Sequence, residues 1–130
     1  MLSRLTAAAI GVLVLLLAAC GGYEADIEAV KRSDQPTGIV NEKFATEIAG
    51  ARGEVTWSAS RPETYKDNEH IVLVTATIDR IGKSGRKRQV VLDYIRNRQT
   101  DKVDLERVLV DGEPQDIVGA ALQLFLMRLD

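Results

Sequence analysis

One cysteine and one histidine are all that this 130-residue chain holds of the side chains most used as thiolates, imidazole bases and soft metal ligands. A single cysteine, Cys20, excludes an intrachain disulfide, so any folded body must be stable through packing alone. Every imidazole role would fall on His70, which follows the polar run Lys66-Asp67-Asn68-Glu69 and reads as a solvated loop residue. A Ser-His-Asp site needs a serine brought to that histidine. The available serines, Ser58, Ser60 and Ser84, stand in no nucleophile-elbow context. Gly82-Lys83-Ser84-Gly85 is too short for a phosphate loop and precedes no helix pattern. Asp67, Asn68 and Glu69 are consecutive, whereas calcium-loop ligands are spaced to converge on one ion. Asp101 and Asp104 read as solvated acids at a strand entrance. No catalytic residue, metal ligand or cofactor is therefore assigned. Internal repeats and low-complexity tracts are absent too, and a net charge of −2 excludes a general nucleic-acid binder.

What is present begins at the N-terminus. Arg4 is the only charge before Glu24, and the apolar run Val12-Leu13-Val14-Leu15-Leu16-Leu17 leads directly into Ala18-Ala19-Cys20-Gly21-Gly22. A positive start, an apolar core and small residues at its end form a secretory signal. The alternative is a retained membrane span, which wants about 20 apolar residues.

The position of the lone cysteine favours the signal. Leu17-Ala18-Ala19-Cys20 resembles the lipobox of bacterial lipoproteins, in which the chain is cut before the cysteine and its sulfur takes a diacylglycerol. That resemblance implies a cleaved signal over residues 1–19, a lipidated anchor and spacer at 20–22, and a single domain over 23–130. It also implies a membrane partner through the lipid on Cys20. Gly21 lacks the aspartate that favours retention in the inner membrane, so the implied place in a Gram-negative cell is the outer membrane, facing the periplasm. In a Gram-positive cell the same signal implies the outer face of the plasma membrane. The 111 residues left after cleavage (130 less 19) suffice for one domain with a modest core.

Along that domain, Tyr23, Ile27 and Val30 recur at helical spacing, with acids early and Lys31 and Arg32 late, as suits a helix dipole. The stretch from Ser33 to Gly38, with Pro36, breaks this helix. A second helix is expected with Val40, Phe44 and Ile48 on one face and Gly50 just past its end. The period then changes to two. Val55, Trp57 and Ala59 mark a first strand and Val72, Val74, Ala76 and Ile78 a second. Val90, Leu92 and Tyr94 mark a third, so that Trp57 and Tyr94 read as core residues. A fourth strand starts with Val103 and Leu105 inward and resumes with Val108 and Val110. This reversal of parity predicts a β-bulge near Glu106-Arg107. Asp111-Gly112 turns the chain, and Pro114 reads as the first residue of a helix through Leu129. Short connections favour antiparallel neighbours. The expected fold is α+β: N-terminal helical segments, a four-stranded antiparallel meander, and a C-terminal helix on the sheet.

With Asn41-Glu42-Lys43-Phe44, Trp57, the strand at Ile71 to Ile78 and Val110-Asp111-Gly112-Glu113-Pro114-Gln115 in place, the body resembles a group of small secreted bacterial α+β domains. The resemblance implies an antiparallel α+β architecture and supplies no activity and no binding residues. The basic stretch from Lys83 to Arg88 departs from it.

Two surfaces are candidates for partners. Arg80, Lys83, Arg86, Lys87 and Arg88 place five cations within nine residues, with no acid between Asp79 and Asp93. In a hairpin loop they either form a solvated turn that protects a strand end or meet an anionic partner such as lipid headgroups or an acidic protein. The last helix is apolar on nearly every side. Ile117, Val118, Ala121, Leu122, Phe125 and Leu129 form the stripe suited to the sheet. Ala120, Leu124 and Met127 form a second face, either covered by the N-terminal helices or open to a partner. The sequence thus points to a non-catalytic, envelope-tethered interaction module whose partner is an envelope protein or anionic lipid. The alternative is a binder of a small apolar ligand or peptide in a cleft between sheet and helix. It leaves the oligomeric state open.

Overall fold

A computed structural model describes residues 22–35 and 37–128, and the whole signal segment with Cys20 lies outside them. Pro36, Leu129 and the side chains of Ile117 and Phe125 likewise lie outside the described part. Among the described residues no helix is long and apolar enough to cross a membrane.

Helix α1 spans Glu24–Arg32, with Glu24 and Asp26 in its first turn and Lys31 and Arg32 in its last. Val30 is fully buried, and Tyr23 and Ile27 pack beside it on the same stripe. Helix α2 spans Asn41–Ala49 and stops at Gly50, whose φ of 73° is costly for any residue with a Cβ. The buried stripe of α2 is Asn41, Ala45, Ile48 and Ala49. Phe44 is half-buried, whereas Val40, expected on the inner face, is 44% exposed because it precedes the first helical residue. The Asn41 amide donates to the Val30 carbonyl at 2.9 Å, which joins the two helices. The turn out of α2 needs Gly53, where a Cβ would lie 2.1 Å from the Ala49 carbonyl oxygen.

The strands are β1 (Glu54–Ser60), β2 (Ile71–Ile81), β3 (Lys87–Asn97), β4 (Val103–Val110) and β5 (Glu113–Gln115). They form one antiparallel sheet in sequence order, with five strands where the sequence predicts four. The fifth comes from the Asp111-Gly112 turn. Both residues have positive φ, 51° and 83°, the backbone of a tight two-residue hairpin whose twist matches its strands. Pro114 therefore sits in β5 opposite Leu109 rather than at a helix start. Its missing N–H is tolerated there because β5 is an edge. The last helix, α3 (Ile117–Arg128), begins only after Asp116, whose carboxylate accepts from the Gly119 amide as an N-cap.

The expected bulge is present. Asp93 pairs with Arg107 and Tyr94 with Leu105, so Glu106 is the extra residue and the two inward pairs of β4 fall on one face. That face carries Val72, Val74, Ala76, Ile78, Val90, Leu92, Tyr94, Val108 and Val110, all buried, and the helices contribute Val30, Ala45, Ile48, Ala120 and Met127 to the same core. Trp57 packs partly exposed at its margin, stacked on Tyr94 with ring centroids 6.3 Å apart. The opposite face of the sheet carries Leu73, Thr75, Thr77, Val91, Asp93 and Ile95. There the nearly buried Asp93 carboxylate accepts from Thr75 at 2.8 Å and from Arg107 at 2.7 Å.

Helix α3 is rotated relative to the expectation from its sequence. Val118 and Leu122, assigned to the sheet, are 76% and 56% exposed, and Leu126 is 49% exposed. Ala120 and Met127 are buried instead, with Leu124 half-buried between them. A helix apolar on most sides has no strong preferred orientation of its own. Here its end is fixed by Arg80, which takes the Met127 carbonyl.

Candidate functional site

Between α2, α3 and the floor of the sheet lies an open cleft of about 650 Å³. Phe44 and Ile48 line it from α2, Ala120, Ala121, Leu124 and Met127 from α3, and Leu92, Leu105 and Val108 from the sheet. Its charged lining is mixed, with Glu47, Glu106 and Asp116 beside Arg80 and Arg107. The cleft exists because α2 and α3 touch only sparingly. The depth reaches Leu92, which has no exposure to bulk solvent. Volume and lining fall in the range of small-molecule and peptide-segment sites, which are mostly apolar with a few polar groups at the edge. Ala120, Leu124 and Met127, the second apolar face of the last helix, all come to this cleft. In the sequence Phe44 is marked only as one position on a helix face, and Leu105 only as an inward strand residue. Their convergence depends on the order of the strands and on the turn of α3.

The five cations do not act together. Arg80 and Arg88 sit on the core face of the sheet. The Arg80 guanidinium donates to the carbonyls of Ile48 and Met127, each at 2.8 Å, and so closes the C-terminal ends of α2 and α3 with one charge. Arg88 pairs with Asp111 at 2.5 Å and reaches Gln123 on α3. The Gln89 amide, with Arg88 beside it, holds the Asp111 carboxyl below the usual carboxylate value. Lys83, Arg86 and Lys87 remain exposed in and beside the turn between β2 and β3.

At the other end of the sheet is a cluster that the sequence did not announce. Asp26, 1% exposed, accepts from Arg96 and from Arg98, the latter at 2.7 Å. Arg96 continues to Asp101 at 2.8 Å, and Arg98 donates to the Gly22 carbonyl at 2.8 Å while lying over the Tyr23 ring. Burial alone would raise the Asp26 pKa, but hydrogen bonds and charge from Arg98 and Arg96 outweigh it and hold the carboxyl below its usual value. The only signal in the sequence is two arginines two residues apart, one at the end of β3 and one in the turn that follows. The cluster fixes the first described residues to the end of β3, while the basic turn lies at the opposite end of the same strand.

The remaining sequence candidates are dispersed. His70 is partly exposed at the entrance to β2, with its nearest acid, Glu69, 4.0 Å away. Ser58 and Ser60 are exposed on β1, and Ser84 is exposed in the β2–β3 turn. Among the described residues no three His, Cys, Asp or Glu side chains converge as a metal site. Tyr94 is fully buried, burial pushes its pKa well up, and among the described residues its hydroxyl has no hydrogen-bond partner. No family model matches the chain, and neither a curated protein nor a solved structure matches it.

Proposed function

We propose that this chain is a lipid-anchored envelope protein that works by binding rather than by catalysis, and that the cleft between α2 and α3 is where it binds. The observation that carries this reading is the cleft itself: about 650 Å³, open, and lined mainly by apolar side chains from Phe44 on α2 to Met127 on α3. Such a site suits an apolar chain or an apolar peptide segment of an envelope partner. The lipobox at Leu17-Ala18-Ala19-Cys20 supplies the address, the outer membrane facing the periplasm in a Gram-negative cell. Binding of the neutral apolar dye Nile red to the chain from Gly21 onward, expressed without the leader, tests the cleft. Ala121→Trp places an indole at the opening and should abolish the dye's fluorescence gain without lowering the melting temperature. Equal dye binding by the substituted chain refutes the site.

A second reading is favoured by one observation, the three exposed cations Lys83, Arg86 and Lys87. They suit an anionic partner, and changing all three to serine should weaken binding to anionic liposomes at low salt and remove its salt dependence.

A further inference from the structure

The two edges of the sheet are unequal. One is β5, three residues long with Pro114 at its centre. Short length and proline are both devices that stop a strand edge from recruiting another chain. The other edge is β1, seven residues in unbroken register with β2. From Val55 to Ser60 it carries no charge and no proline. Among the described residues no backbone hydrogen bond reaches its outer side. Its even-numbered residues, Glu54, Thr56, Ser58 and Ser60, are all exposed.

We propose that β1 pairs antiparallel with β1 of a second copy of this chain, around a twofold axis at Trp57, to give one continuous ten-stranded sheet. Pairing about Trp57 is the register that matches all seven residues, and it keeps each face of the sheet consistent. On the helix-bearing face Val55 meets Ala59 and the two Trp57 rings meet each other, covering an indole that the single chain leaves partly exposed. On the open face Thr56 meets Ser58, a favourable hydroxyl pair, and Glu54 meets Ser60. The strand's one charge is repeated at opposite ends of the ladder, about 20 Å apart at the usual strand rise. That separation exceeds the screening length at physiological salt, about 8 Å. A second copy fits this edge because the strand is complementary to its own reverse. The proposal is independent of the cleft, none of whose lining residues lies on β1.

The test uses the full chain, extracted from membranes in detergent and weighed by native mass spectrometry. The unaltered chain should be a dimer. Thr56→Lys with Ser58→Lys brings four lysines together at the axis. That chain should be a folded monomer whose melting temperature no longer depends on protein concentration, since in the single chain both positions are exposed. Mixing it with the Thr56→Glu, Ser58→Glu chain should restore a dimer containing one copy of each. A monomeric unaltered chain overturns the proposal, as does a dimer that survives the lysines or a mixture that fails to pair. A monomer that instead takes up an added extended peptide along β1 assigns the edge to a foreign strand and equally overturns it.

Discussion

Arg80 and Arg88 stand directly opposite each other on the β2–β3 ladder, and each is turned to a partner inside its own molecule. Like charges facing across a ladder ordinarily destabilise it. Here Arg80 is answered by two helix ends and Arg88 by the Asp111 carboxylate, so the repulsion is offset and the pair links the sheet to α2 and α3. What looks in the sequence like one basic patch is two internal fasteners and three exposed cations.

That division is measurable. Arg80→Met removes two charge-assisted bonds to carbonyls and should lower the unfolding free energy by about 2–4 kcal/mol. Lys83→Ser, Arg86→Ser and Lys87→Ser should each change it by less than about 1 kcal/mol. Urea denaturation of the four chains checks both. Equal losses at Arg80 and Lys83 would show that Arg80 is not a fastener.

Asp26 governs the acid side of stability. Its folded pKa lies below the ordinary 3.8, so the native state keeps the carboxylate charged where the unfolded chain already binds a proton. The stabilisation is complete above 3.8 and is lost as pH falls below it towards the folded value. Asp26→Asn should cost about 3 kcal/mol at neutral pH, since two arginines lose their counter-charge. It should also flatten the decline in stability below pH 3.8, as followed by urea melts at stepped pH. An unchanged acid slope would remove Asp26 from that role.

The orientation of α3 is tested by two glutamates placed two residues apart. Leu124→Glu puts a charge into the cleft wall beside the core and should destabilise by about 3 kcal/mol. Leu122→Glu falls on the outward side and should change stability by less than about 0.5 kcal/mol. The reverse order in thermal melts would restore the orientation that the helix sequence alone suggested.

For the anchor, Cys20→Ser should abolish incorporation of a palmitate analogue during growth and block the normal cleavage. Label retained by the substituted chain would rule out the lipobox reading.

The sequence made the sheet more legible than the site. Parity reversal between Leu105 and Val108 was enough to place the bulge near Glu106-Arg107, because one face of β4 must stay inward, and the register puts it at Glu106. The fifth strand was legible too, in principle, from Asp111-Gly112, a favoured two-residue hairpin turn. Pro114 masked it, since proline two residues after a turn suits a helix start as well as an edge strand. The face of α3 was not legible: Ala120, Ala121, Leu122, Leu124 and Leu126 leave almost no polar side to set its rotation, and the deciding contact comes from Arg80, some forty residues earlier. The Asp26 cluster was hidden for a similar reason. Its members are separated by about seventy residues, and no local pattern records that the start of α1 and the end of β3 meet.

The contrast between the open β1 and the guarded β5 also limits how large an assembly can become. A sheet with two receptive edges can add neighbours without end and grow into a filament. Among the described residues the one receptive edge of this sheet is consumed by the first union, and what remains outward on both sides is a three-residue strand interrupted by Pro114. Association through the sheet therefore terminates at a pair. Substituting Pro114 by a strand-forming residue and lengthening β5 would remove that stop, and the expected product is an open-ended polymer of the same fold.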